Sequence, residues 1–165
     1  MESWENFAVI VGGAAAALLG LLFIAISIRV NLVAASTELR SRAAQILVLF
    51  GAVLVVAILL VVPEQPLPLL GAEFVVLSLG MGVGLHVLER RAGELTGDQR
   101  IGPILELVSP NTITALPLLA AGIVLICGQQ WGLYVLVVPV LAAFVGGLTN
   151  AWLFMVRLQE PEVRR

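Results

Sequence analysis

Long apolar runs alternate with short polar breaks along this chain of 165 residues. Each run is about the 20 residues that a helix needs to cross the hydrocarbon core of a bilayer. The runs fall at 7–28, 44–62, 67–88, 110–127 and 131–156. They predict an all-α protein, a polytopic bundle of five transmembrane helices in which residues 1–165 form a single transmembrane domain.

The breaks have their own chemistry. The segment from Arg29 to Gln45 is polar, and Ser36 or Thr37 is suited to cap a helix leading into the second run. The second run, rich in Val, Leu and Ile, reads as lipid-facing. Residues 63–68, PEQPLP, form a tight connection whose prolines deny backbone donors to a continuous helix. Ser109 to Thr112 read as a capped helix start with proline in the first turn, leaving 101–108, IGPILELV, as a short interfacial or re-entrant piece. Pro117 should kink the fourth helix. The stretches LPLLGAEFVVL at 67 and LPLLAAGIVLI at 116 look alike, a hint of internal duplication.

Orientation follows from arginine. There is none before the first run, three follow it, none lies between the second and third, three lie between the third and fourth, none at Gln129–Gln130, and three in the tail. The positive-inside rule then puts the amino terminus outside and the carboxyl terminus in the cytoplasm, which only an odd number of spans allows. Trp4, Trp131 and Tyr134 fall at the outer interface and Trp152 near the inner one, as in aromatic belts.

Composition agrees with the pattern: 60% of residues are hydrophobic, 12% are charged, and mean hydropathy is +1.07. The bilayer is the expected solvent. The runs leave no room for a soluble catalytic or nucleic-acid-binding domain, and a net charge of -2 steers no strongly acidic or basic partner. All nine basic residues are arginine, which fits a GC-rich bacterial genome and a bacterial inner membrane as the location.

Candidate chemistry centres on residues 71–91. Glu73 is the one carboxylate that must lie inside a span, roughly 9 Å from its start at the rise of an α-helix. It suits a proton or cation site, or a protonated carboxyl bonded to a neighbouring helix. Glu73, Gly80 and Gly84 share one helical line within about 20°, which should face protein. His86, the single histidine, lies a turn from the arginine-rich loop, as a headgroup-facing residue or a second ion or proton ligand. An inner polar cluster is expected from Ser27, Asn31, Asn111, Thr112, Thr114, Thr149 and Asn150, as a pocket or as inter-helix hydrogen bonds. Small residues mark helix-packing faces: Gly12, Ala16 and Gly20 in the first span, Gly80 and Gly84 in the third, Gly146 and Gly147 in the fifth.

No nucleophile stands beside a histidine and carboxylate, and no glycine-rich phosphate loop carries its lysine. One cysteine and one histidine make no transition-metal site within one subunit. No catalytic residue, metal or cofactor is expected.

GGAAAALLGLLFIAISIRVNLV at 12–33, LVVPEQPLPLLGAE at 60–73 and WLFMVRLQE at 152–160 together resemble a group of small multi-span membrane proteins common in actinobacteria. Some of those are labelled modulators of an FtsH-type membrane protease. The resemblance brings no catalytic residues. It implies a non-enzymatic accessory or modulator of another membrane protein, a membrane protease being one such partner. The alternative is a homo-oligomeric small ion channel or transporter using Glu73 and the inner polar cluster. The expected partners are the lipid bilayer and either further copies of the chain or another membrane protein, with no nucleic acid.

Overall fold

A computed structural model describes residues 2–96 and 110–159. The described residues are helical with short connections: α1 (Glu2–Ile28), α2 (Val30–Ala35), α3 (Thr37–Val61), α4 (Leu67–Thr96), α5 (Pro110–Ile126), α6 (Gly132–Val135) and α7 (Val137–Gln159). Among the described residues four segments are long and apolar enough to cross a membrane: Trp4–Ile28, Leu39–Val61, Leu67–Leu88 and Gly132–Val156. Helix α5 is shorter, 17 residues with Pro117 inside it. The expected interfacial segment 101–108 lies outside the described residues.

Local chemistry sets the ends. Ser36 caps α3, its Oγ accepting from the Leu39 N–H at 3.3 Å. Helix α5 ends at Ile126 and is closed by Gly128, whose φ is 75°, a left-handed conformation that only glycine adopts freely. The Gly128 N–H donates to the Leu125 carbonyl and the Gln129 N–H to the Val124 carbonyl, the paired bonds of a Schellman motif. The fifth apolar run is not one regular helix. It breaks at Leu136, three residues before Pro139, whose missing N–H leaves that turn without its full bonding.

Helix α3 occupies the centre. Helices α1, α4 and α7 pack against it, and α5 fills the space between α4 and α7. Ala43, Ile46, Leu49, Phe50, Val53, Val56 and Ala57 of α3 are all buried, which overturns the lipid-facing reading of the second run. A Val/Leu/Ile composition suits lipid tails and neighbouring helices equally, so it does not reveal which helix is central. The outside of the bundle is apolar as well, with Ile10, Val76, Val83, Leu141 and Val145 exposed.

Particular contacts identify the two ends. At one, the Trp4 ring meets Tyr134 of α6 edge-on at 5.2 Å between centroids. The Pro63–Pro66 connection lies at this end too, since Gly71 abuts Ile126. At the other, Ser41 Oγ donates to the Leu88 carbonyl at 3.0 Å, and Leu22, Val33, Ile46, Phe50 and Phe154 form a core cluster. Arg29, Arg40 and Arg42, with Arg90 and Arg91 late in α4 and Arg157 late in α7, all belong to segments at this second end.

Small residues join the helices, though not all the expected ones. Gly12 faces α3: a Cβ there would lie 2.9 Å from that of Ala57. The buried face of α1 continues through Ala15 and Leu22, leaving Ala16 and Gly20 exposed. Gly146 and Gly147 are buried, and a Cβ on Gly147 would lie 2.6 Å from the Phe50 ring. Gly80 is exposed and Gly84 half-buried, with open space beyond both. Among the described residues neither packs against another helix, contrary to expectation. The buried face of α4 runs instead through Leu70, Phe74, Ser78, Met81 and Leu85, about 100° around the axis. Gly80→Ala should accordingly change unfolding free energy by no more than about 0.5 kcal/mol, measured by denaturant titration in detergent micelles.

Candidate functional site

The polar side chains inside this bundle are few, and the structure separates them into three groups. The first holds Glu73. The Pro63–Pro66 connection doubles the chain back from α3 into α4, with Glu64 in the left-handed region at φ 55°. This turn brings Gln65 over the first two turns of α4. The Gln65 Nε2 donates to Glu73 Oε2, and both residues are half-buried. Gln65 Oε1 is buried without a hydrogen-bond partner. Sequence reasoning misses Gln65 because its reach depends on the turn; its signal is a lone amide among prolines, shortly before a carboxylate inside a span.

The second group consists of hydroxyls between helices. Ser78 and Thr114 are buried where α4 meets α5, and Ser78 Oγ donates to the Ala115 carbonyl at 2.8 Å. Thr114 lines a small apolar void with Val53, Met81, Leu118 and Val140. At the arginine-bearing end the buried Ser41 links α3 to α4. Neither Ser41 nor Ser78 stands out in the sequence, although Ser78 falls at i+4 from Phe74 on the buried face of α4. Replacing Ser78 by alanine should cost about 0.6 kcal/mol, the average for hydrogen bonds between membrane helices, read as a shift of the detergent-unfolding midpoint.

The third group comprises the other polar residues expected in the inner cluster. Ser27 is exposed and its Oγ donates to the Phe23 carbonyl of its own helix at 2.8 Å. Thr149 is exposed and donates in the same way to the Val145 carbonyl at 2.8 Å. Such bonds satisfy a hydroxyl in an apolar surrounding without a second helix. Asn31 is exposed on α2, Asn150 half-buried on α7 and Thr112 half-buried on α5. The side chain of Asn111 lies outside the described residues. Ser27 and Thr149 therefore close their bonds on their own helices and not across an inner pocket. His86 is exposed on α4 near the arginine-bearing end. It is far along the helix from Glu73, about 20 Å at the rise of an α-helix.

An apolar groove runs between α1 and the end of α3, lined by Ala8, Gly12, Gly13, Ala57, Ile58 and Val61. No three or more His, Cys, Asp or Glu side chains stand together as metal ligands among the described residues. Comparison with known protein families, with curated proteins and with solved structures finds no match to this chain.

Proposed function

We propose that this protein is a non-enzymatic integral membrane protein that acts as an accessory or modulator of another membrane protein, with a membrane protease as one partner class. The observation that carries the reading is the placement of its small residues. Gly20 and Gly80 lie on the outside of the bundle with open space beyond them, where a helix from another chain can bring its backbone close. The hydroxyls of Ser27, Ser41, Ser78 and Thr149, by contrast, are tied to carbonyls of the chain itself.

We read the chain as five spans in a bacterial inner membrane, amino terminus outside and carboxyl terminus cytoplasmic. Gathering of the arginine-bearing segments at one end supports this orientation. The antiparallel course of α5 along α4, from Ser78–Ala115 to Gly71–Gly122, supports α5 as the additional span. At 17 residues it is at the short limit for crossing.

A second reading, a homo-oligomeric channel or transporter, draws on Glu73 and its amide partner inside the bundle. The hydroxyls of Ser27 and Thr149, bonded within their own helices, give it no support. Affinity purification from native membranes in mild detergent, with particle mass measured and co-purifying proteins counted, separates the two. A stoichiometric second membrane protein is the expected result. A particle containing several copies of this chain alone would overturn the accessory reading and direct attention to ion flux.

A further inference from the structure

The Gln65–Glu73 pair has an incomplete hydrogen-bond inventory, and one hydrogen atom completes it. An amide offers two N–H donors and one carbonyl acceptor; an ionised carboxylate only accepts. With Gln65 Nε2 donating to Glu73 Oε2, nothing donates to the buried Gln65 Oε1. A buried acceptor without a donor is rare in folded proteins. If Glu73 carries its proton, the carboxylic acid and amide become self-complementary. The amide N–H donates to one carboxyl oxygen, and the carboxyl O–H donates to the amide oxygen. Exchanging the amide oxygen and nitrogen positions, which such contacts do not distinguish, leads to the same need, since two facing oxygens require a hydrogen between them.

The pair stands apart from the cations of the described residues. Glu73 lies within an apolar span, where an unpaired charge is costly. Among the described residues, the arginine-bearing segments belong to the opposite end of the bundle. The elements packed against α4 are mainly α3 and α5. Among the described residues they bring toward this end Glu64, exposed just after α3, and Cys127, exposed just after α5. Glu5 on α1 and Tyr134 on α6 are exposed at the same end. Arg40 and Arg42 of α3, and His86 on α4 itself, are toward the other end. None of these supplies a cation to Glu73.

We infer that Glu73 and Gln65 form a proton-binding site, in which the Glu73 carboxyl O–H donates to Gln65 Oε1 and fastens the 63–66 connection to α4. The proton belongs to the chain's own geometry. That the site faces outward rests on the orientation proposed above.

Infrared spectroscopy of the whole protein in lipid vesicles at neutral pH tests this without any knowledge of a partner. A protonated-carboxyl C=O band is expected, shifted by deuterium exchange and absent from Glu73→Gln, which keeps an amide at the site and so preserves folding. Gln65→Met should move the same band to higher frequency, because the carbonyl loses its N–H donor. Three results would each overturn the proposal: a carboxylate band in place of the protonated one, a band unmoved in Gln65→Met, or a band abolished by sodium chloride at constant pH. Thermal melting of both variants confirms that the compared proteins are folded. Since the readout is a vibration of Glu73, loss of the accessory reading would leave it unaffected.

Discussion

Alanine in place of Gly71 should destabilise the bundle by about 3 kcal/mol, the upper part of the range for overpacking a close contact. A Cβ at Gly71 would lie 2.6 Å from the Gly122 carbonyl oxygen, 2.7 Å from the Ile126 nitrogen and 2.9 Å from the Leu125 Cβ. Two of these atoms are backbone, and backbone inside a helix cannot swing aside as a side chain does. The contact is reciprocal: a Cβ on Gly122 would lie 2.8 Å from the Gly71 carbonyl oxygen and 3.0 Å from the Val75 nitrogen. Helices α4 and α5 therefore meet backbone to backbone, the geometry that small residues permit between membrane helices. Gly122→Ala should be damaging for the same reason, and Gly122→Leu should prevent α5 from docking at all. Unfolding by a denaturing detergent, followed by loss of helical dichroism, gives the comparison. Gly80→Ala, with open space at the site, serves as the control.

Gly147→Ala is the second large effect, and it should be rescued. The added Cβ would lie 2.6 Å, 2.7 Å and 3.2 Å from three atoms of the Phe50 ring, which is almost completely buried and also packs against Phe144. All the opposing atoms belong to one side chain, unlike those at Gly71. Gly147→Ala alone should cost roughly 1–3 kcal/mol. Phe50→Leu alone should also destabilise by leaving space in the core. Combined, the two should be less harmful than their sum by at least about 1 kcal/mol, the coupling expected of residues in direct contact. Additive effects would mean that α3 and α7 do not meet at these positions.

Much of the fold is legible because membrane spans are written as length and hydropathy. The four long apolar segments follow the predicted runs closely, and Ser36 as a helix cap follows from a hydroxyl beside a polar-to-apolar transition. Helix rotation is harder to read. Where both lipid and protein are apolar, hydrophobicity no longer says which face turns inward, so the line through Glu73, Gly80 and Gly84 draws attention while Gly71, Phe74 and Ser78 make the contacts. The crossing glycine Gly122 goes unnoticed because a single small residue has no spacing to reveal it. The central position of α3 is likewise hidden in its composition.

At the candidate site, Glu73 is legible as a carboxylate inside an apolar run, and its partner is not. Gln65 meets it only because the proline-flanked turn reverses the chain with Glu64 at φ 55°. The inner hydroxyls have the right depth for a shared pocket, but depth leaves helix rotation open, and Ser27 and Thr149 close their bonds within their own helices.

The arrangement of the ends relative to the membrane underlies the account, and the chain's single cysteine reports on it directly. Cys127 is exposed just beyond α5, at the end away from the arginine-bearing segments. A membrane-impermeant maleimide applied to intact cells or spheroplasts should label the unaltered protein at Cys127 without permeabilisation. Labelling only after the membrane is opened would place Cys127 in the cytoplasm, contradicting both the proposed orientation and the outward-facing position of Glu73.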